Sequence, residues 1–303
     1  MTQSVARSEE RFAHVGEIEL CWQQFGSDED PPLLMIMGLG AQMILWPDEL
    51  CEMIAAAGYR VIRFDNRDSG RSTILADTPT GTVPQALEGE IEPGSYDLSD
   101  MTADTAGLLD ALGIGAAHVV GSSLGGMIAQ TLAIEHPLRV LTLASIMSTT
   151  GDRSVGEAAQ AGIEALTTVP QRDREGYVDV LVGARRKISS PGFPFDEERA
   201  RRIAGNGWDR GFHPKGTVRQ MIAIVASGDR TERLADIEVP TVVIHGEDDP
   251  LIGVSGGKAT ATAIPGAKLV VIPGMGHDLP AGVWERVADA IVTNAGRTVK
   301  HAM

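Results

Sequence analysis

The residues best placed to do covalent chemistry stand at Gly121-Ser122-Ser123-Leu124-Gly125. An apolar, β-branched stretch from Ala117 to Val120 runs into them, and an apolar segment of helical character follows at once. This is Gly-x-Ser-x-Gly in a strand-turn-helix context. A serine on so sharp a turn takes strained backbone angles, and glycines two positions to either side let strand and helix approach without Cβ clashes. Ser123 is therefore the candidate nucleophile. Gly253-Val254-Ser255-Gly256-Gly257 fits the same pattern, but it follows Asp249-Pro250-Leu251-Ile252, a turn and not a strand, so Ser255 is read as structural.

A serine hydroxyl is a poor nucleophile at neutral pH and needs a base within hydrogen-bond reach, itself oriented by an acid. Of the seven histidines, His14 and His301 lie in the terminal regions, His118 is inside the strand leading to Ser123, and His136 closes the following helix. His213 falls in a helical insertion, and His245 ends a strand before Gly246, where a structural hydrogen bond is the better reading. His277 remains, in the Gly- and Pro-rich loop from Pro273 to Pro280 after the last strand, where a side chain can be aimed over the edge of a sheet. The acid belongs on another loop at that edge. Gly246-Glu247-Asp248-Asp249-Pro250 follows a buried strand, and Asp249 is preferred because Pro250 fixes the turn and holds its predecessor extended. Asp248 is the alternative, read as a surface charge or turn former. Ser123, Asp249 and His277 each stand just beyond the C-terminal end of a strand, where ligands bind in open α/β sheets. Acyl transfer also requires oxyanion donors, each worth roughly 10² to 10³ in rate. The backbone amides of Leu124, at a helix N-terminus, and of Leu39, in a glycine-flanked loop after a buried strand, can supply them.

The elements that must position these groups follow from periodicity. Phe12 to Val15 and Ile18 to Phe25 read as an antiparallel hairpin around Gly16, behind a solvated arm of residues 1–10. Leu33 to Met37, Tyr59 to Phe64, Ala117 to Val120, Val140 to Ile146, Pro240 to His245 and Ala267 to Ile272 are short apolar runs suited to strands buried on both faces. Helices are expected between them: Trp46 to Ala57, a helix capped by Ser99 or Asp100 and ending at Gly113, the segment after Ser123, Val254 to Ala263, and Val283 to Asn294. Strands alternating with helices imply a parallel sheet with right-handed crossovers. Residues 73–98 show no convincing periodicity and read as an excursion at the edge of the site. Residues 149–230 contain no buried strand but four amphipathic helical stretches, so the expected organisation is an α/β core of residues 1–148 and 231–303 carrying a helical cap of residues 149–230. Within it Trp208, Phe212 and Met221 line an apolar substrate pocket or form the cap's own core, and Asp209-Arg210 makes either an ion pair or polar contacts to substrate.

The totals exclude several functions. The 303 residues carry a formal net charge of −15, a surface field that repels nucleic acid and anionic membranes. No apolar run of spanning length occurs, and the N-terminus lacks the apolar core of a secretory signal, so a cytoplasmic protein without a membrane span is expected. The two cysteines, Cys21 and Cys51, have no metal-binding or redox spacing and read as reduced, buried thiols.

The serine turn, the Asp65-Asn66-Arg67-Asp68-Ser69-Gly70-Arg71-Ser72 stretch, the Gly-Glu-Asp-Asp-Pro acid loop and the Gly-Met-Gly-His base loop together resemble the α/β-hydrolase family, and the resemblance covers nearly the whole chain. Within it the chain is most similar to small bacterial carboxylesterases, including the aclacinomycin methylesterase type, which share a Met-Gly turn ahead of Trp46-Pro47-Asp48. The resemblance implies a mostly parallel eight-stranded sheet with its second strand antiparallel, flanked by helices, with the cap after the sixth strand. It also implies no metal or organic cofactor. One departure is Met37-Gly38, where many members carry His-Gly; the backbone donor survives, but whatever that histidine orients is absent. The function expected is hydrolysis of a small-molecule carboxylic ester, including methyl esters, through an acyl-serine intermediate, by a monomer or homodimer. A C–C bond hydrolase or perhydrolase would use the same residues, and a non-catalytic ligand-binding protein would have no need of the two later loops.

Overall fold

The computed structural model describes residues 5–169 and 171–297; His301 lies outside them. Eight strands form one sheet: β1 (Arg11–Val15), β2 (Ile18–Phe25), β3 (Pro32–Ile36), β4 (Arg60–Phe64), β5 (Ala117–Ser122), β6 (Val140–Ile146), β7 (Thr241–Gly246) and β8 (Lys268–Ile272). Their order across the sheet is β1-β2-β4-β3-β5-β6-β7-β8. β2 runs antiparallel to both neighbours, and every other pairing is parallel. This is the eight-stranded, mostly parallel α/β arrangement expected.

Helices cover both faces, which is why the central strands do not alternate in polarity. Leu33, Met35 and Met37 point into a core shared with α1 (Asp48–Ala56) and α10 (Trp284–Ala295). Leu34 and Ile36 point the other way, into a core shared with α3 (Leu98–Ala111) and α4 (Leu124–Glu135), while α9 (Val254–Ala263) leads from β7 to β8. A short helix, α2 (Val83–Leu87), stands in the excursion, and α5 (Gln160–Leu166), α6 (Arg174–Ile188), α7 (Glu197–Arg210) and α8 (Pro214–Ser227) lie between β6 and β7.

Three local expectations differ from the structure. Residues 5–10 are not a solvated arm: Arg7 bridges Phe25, Ser8 N donates to Gln24 O at 2.9 Å, Gly26 N donates to Ala6 O at 2.9 Å, and Glu10 pairs with Arg210. The segment lies beside the free edge at the end of β2, a position with no side-chain alternation to betray it. The cap of α3 is Asp97, whose carboxylate accepts from the Ser99 and Asp100 amides while Asp100 returns a bond to Asp97 N. This reciprocal arrangement satisfies otherwise orphaned donors. Finally, the helical stretches that the periodicity starts at Tyr177, Phe195 and Val218 start instead at Arg174, Glu197 and Pro214, because Asp173 and Asp196 cap α6 and α7 by side-chain bonds and Pro214 opens α8.

Candidate active site

Ser123 stands between the last residue of β5 and the first of α4, with φ 56° and ψ −121°. A non-glycine residue held there costs about 1–3 kcal/mol, which the surrounding packing must offset. The flanking glycines allow it: a Cβ on Gly121 would fall 2.0 Å from Gly125 O, and one on Gly125 would fall 2.1 Å from Ile36 O. Sharp turn and close packing thus aim the hydroxyl off the C-terminal edge of the sheet.

His277 Nε2 lies 3.1 Å from Ser123 Oγ, and His277 Nδ1 lies 2.7 Å from Asp249 Oδ2. The structure therefore brings the three sequence-predicted residues into one hydrogen-bonded line, although 154 positions separate the serine from the histidine. The other oxygen of Asp249 accepts from Leu251 N at 2.8 Å and Ile252 N at 2.9 Å, so the carboxylate cannot swing. Burial would raise its pKa, but the charge of His277 and the hydrogen bonds from His245, His277 and Ile252 outweigh that and hold it far below the ordinary carboxylate range. Asp248 points elsewhere, its Oδ2 accepting from Gly274 N at 2.9 Å. It braces the loop that carries His277. His245 Nε2 donates to Ile252 O at 2.8 Å, the structural bond expected of it, and lies 3.5 Å from Asp249 Oδ2. Ser255 lies in the first turn of α9 and its Oγ accepts from Gly156 N at 2.9 Å.

The loop after β3 lies directly on Ser123, with Gly38 close enough that a Cβ there would sit 3.1 Å from Ser123 Cβ. Of its amides, Gly40 N is taken by Gln220 Oε1 at 2.8 Å and Ala41 N by Gly38 O at 3.2 Å. Leu39 N and Leu124 N have no hydrogen-bond acceptor among the described residues. Two free donors beside a serine hydroxyl, one of them at a helix N-terminus, are what a developing oxyanion needs. Met37 O accepts from Asn66 Nδ2 at 2.9 Å, which ties the start of this loop to the end of β4 through its backbone.

The stretch from Asp65 to Ser72 has a role that its sequence does not announce. Asp65 accepts from Met43 N at 2.7 Å and Arg71 N at 3.0 Å and pairs with Arg210 of α7. Asp68 takes Arg219 of α8 with two bonds at 2.6 and 2.8 Å, and Tyr96 donates to it at 2.9 Å. Two buried carboxylates at the end of β4 thus hold two helices over the loop that follows β3. Asp209 and Arg210 are both spent on ion pairs, with Arg174 and with Asp65 and Glu10 respectively. Trp208 and Phe212 stack at 5.1 Å between ring centres, and Tyr177, which sequence reasoning did not single out, closes the trio at 5.3 and 5.2 Å. Met221 is partly buried on α8, a different helix from these rings.

Cys21 and Cys51 are free and buried, and burial pushes both thiols up to about 12, so neither is a thiolate at neutral pH. Among the described residues no group of three or more His, Cys, Asp or Glu side chains is arranged to hold a metal ion, and no helix is long and apolar enough to cross a membrane.

A family profile for the alpha/beta hydrolase fold matches residues 31–280. Rhodomycin D methylesterase DauP from Streptomyces sp. (strain C5) is 33% identical over 299 residues, covering 91% of this chain and 94% of that protein. Rhodomycin D methylesterase DnrP from Streptomyces peucetius is 32% identical over 298 residues, with the same coverages of 91% and 94%. Among solved structures, an esterase from Rhodococcus sp. superposes with a TM-score of 0.75 at 19% identity, covering 96% of this chain and 100% of that one. That last likeness speaks to the fold alone.

Proposed function

The chain belongs to the α/β-hydrolase family, and we propose that it is a carboxylic ester hydrolase that works through an acyl-Ser123 intermediate. The observation that carries this reading is the unbroken line from Asp249 through His277 to Ser123 Oγ, set beside two unengaged amides. In the first half-reaction Ser123 Oγ attacks the ester carbonyl while His277 Nε2 takes its proton. The oxyanion is bound by Leu39 N and Leu124 N. His277 then protonates the leaving alkoxide; in the second half-reaction it draws a proton from water as the water oxygen attacks the acyl carbonyl, and passes that proton to Ser123 Oγ as the acyl–oxygen bond breaks, releasing the acid and free Ser123. Asp249 keeps the imidazole in the tautomer that presents Nε2 to the serine and stabilises the imidazolium that forms twice per turnover.

The substrate we infer is a small-molecule methyl ester of a bulky acid. Support comes from the two methylesterases that share a third of their residues with this chain along nearly its full length, and from the aromatic trio of Tyr177, Trp208 and Phe212, a stacking surface for flat rings. In this reading residues 149–230 act as a cap on a core of residues 1–148 and 231–303, and Trp208, Phe212 and Met221 face the acyl group. The test is a panel of p-nitrophenyl esters of increasing acyl length, run beside methyl esters of polycyclic acids. Methyl esters of polycyclic acids are expected to give the highest kcat/KM. A preference for long linear acyl chains, for vinylogous diketones or for peracid formation would assign the same residues to a different reaction.

A further inference from the structure

The loop carrying His277 is bound on its outer side by the connection between α6 and α7, backbone against backbone. His277 N donates to Ile188 O at 2.8 Å, and Gly192 N donates to Gly274 O at 2.9 Å. Ser190, only 3% exposed, ties the two segments together. Its Oγ accepts from Gly276 N at 2.8 Å and donates to Asp278 Oδ1, and that same oxygen accepts from Ser190 N at 2.9 Å. Glycines make the approach possible. A Cβ on Gly276 would meet Ile188 O and Ser189 O at 2.7 Å, one on Gly192 would meet Gly274 Cα at 2.6 Å, and one on Gly274 would meet Gly192 Cα at 2.8 Å.

The opposite side of the site is held by the same insertion, since Gln220 of α8 takes Gly40 N and Gln42 Nε2 donates to Gly207 O and Gly211 O at 2.8 and 3.0 Å. The inserted helices therefore touch both the loop with the oxyanion amides and the loop with the base.

We propose that Ser190 and Asp278 are positioning residues, through which the seating of the inserted helices sets the aim of His277 at Ser123. This rests on His277 being the base. A loop shift of about an ångström is enough to cost on the order of 10²-fold in rate when the reacting groups must stay in near-attack geometry. The core's own support for this loop is narrower: Asp248 accepts from Gly274 N, and Asp248 N donates to Met275 O at 3.0 Å.

The test compares Ser190→Ala, Asp278→Ala and Asp278→Asn with the unaltered chain, measuring kcat and KM on p-nitrophenyl acetate, the rate at which a phosphonate ester labels Ser123, and the melting temperature. Ser190→Ala and Asp278→Ala are expected to lower kcat and labelling together by about 10- to 100-fold with KM within about twofold. Asp278→Asn keeps the accepting oxygen and is expected to recover most of the rate. Asp278 is partly exposed, so its variants read the effect even if Ser190→Ala does not fold. Unchanged kcat and labelling in Asp278→Ala, whatever its melting temperature, would reduce the contact to a purely structural one and overturn the proposal. Ser123→Ala is run in parallel: if it loses activity while the positioning variants do not, only this inference fails, and if it stays active the reading of the whole site fails.

Discussion

Gly38 lies against Ser123 so closely that a Cβ there would stand 3.1 Å from Ser123 Cβ, 3.3 Å from Ser122 O and 3.6 Å from Ser123 Oγ. The serine cannot give way, since its strained turn is pinned by glycine contacts on both sides and by Ser123 N donating to Ile146 O at 2.9 Å.

The loop would have to move instead, carrying Leu39 N with it. Gly38→Ala is expected to lower kcat by about 10²-fold, the cost of misplacing one oxyanion donor, with little change in melting temperature. A variant within threefold of the parent would remove the Leu39 amide from the account.

The two neighbouring carboxylates should separate cleanly. Asp249→Asn presents the wrong hydrogen-bonding pattern to His277 Nδ1 and is expected to cost about 10⁴-fold in kcat. Asp248→Asn keeps an oxygen for Gly274 N and is expected to cost less than about tenfold. Steady-state rates on p-nitrophenyl acetate decide, and the reverse ranking would mean that Asp248 is the acid.

Arg219 and Asp68 are 3% and 0% exposed, so removing one partner strands a buried charge. Arg219→Ala is expected to destabilise by about 3–5 kcal/mol at pH 7, read from denaturant unfolding. Burial alone would raise the pKa of Asp68, but the bonds from Arg219, the Leu75 amide and Tyr96 overcome it and hold the group low. In the parent this contribution is complete above the unfolded carboxylate value of about 4 and is lost as pH falls through the lower folded value. In the variant the carboxyl titrates higher and accepts a proton sooner. The gap between the two proteins should therefore narrow as pH falls from 7 toward 4, and a gap independent of pH would show that lost packing, not charge, is responsible.

Trp208 tests the substrate class. Trp208→Ala removes the ring stacked on Phe212 and is expected to raise KM for methyl esters of polycyclic acids by about tenfold or more while leaving p-nitrophenyl acetate within twofold. Equal losses on both would place the trio in the packing of the inserted helices and not against the acyl group.

What the sequence made legible were features with a local cause. Leu33 to Ile36 must be buried on both faces to be so uniformly apolar, and Gly121 and Gly125 are needed only if strand and helix nearly touch. Pro250 distinguished Asp249 from Asp248 because it restrains its predecessor. What stayed hidden were pairings between distant segments: Asp65 with Arg210 across 145 positions, Ser190 with Asp278 across 88, and Glu10 with Arg210 across 200. A buried ion pair or a bonded serine leaves no periodicity, and each partner alone reads as an ordinary polar surface residue. Tyr177 was hidden for the same reason, since its ring partners lie on and beyond the next helix.

The most direct test of the central claim is stopped-flow hydrolysis of p-nitrophenyl acetate under conditions that quench the first turnover, with mass analysis of the peptide bearing Ser123. The account predicts an acetyl group on Ser123 in the quenched protein, none in Ser123→Ala, and a fall in turnover on the order of 10⁶-fold in that variant. Ester cleavage retained by Ser123→Ala, or an acyl group found on any other residue, would contradict it.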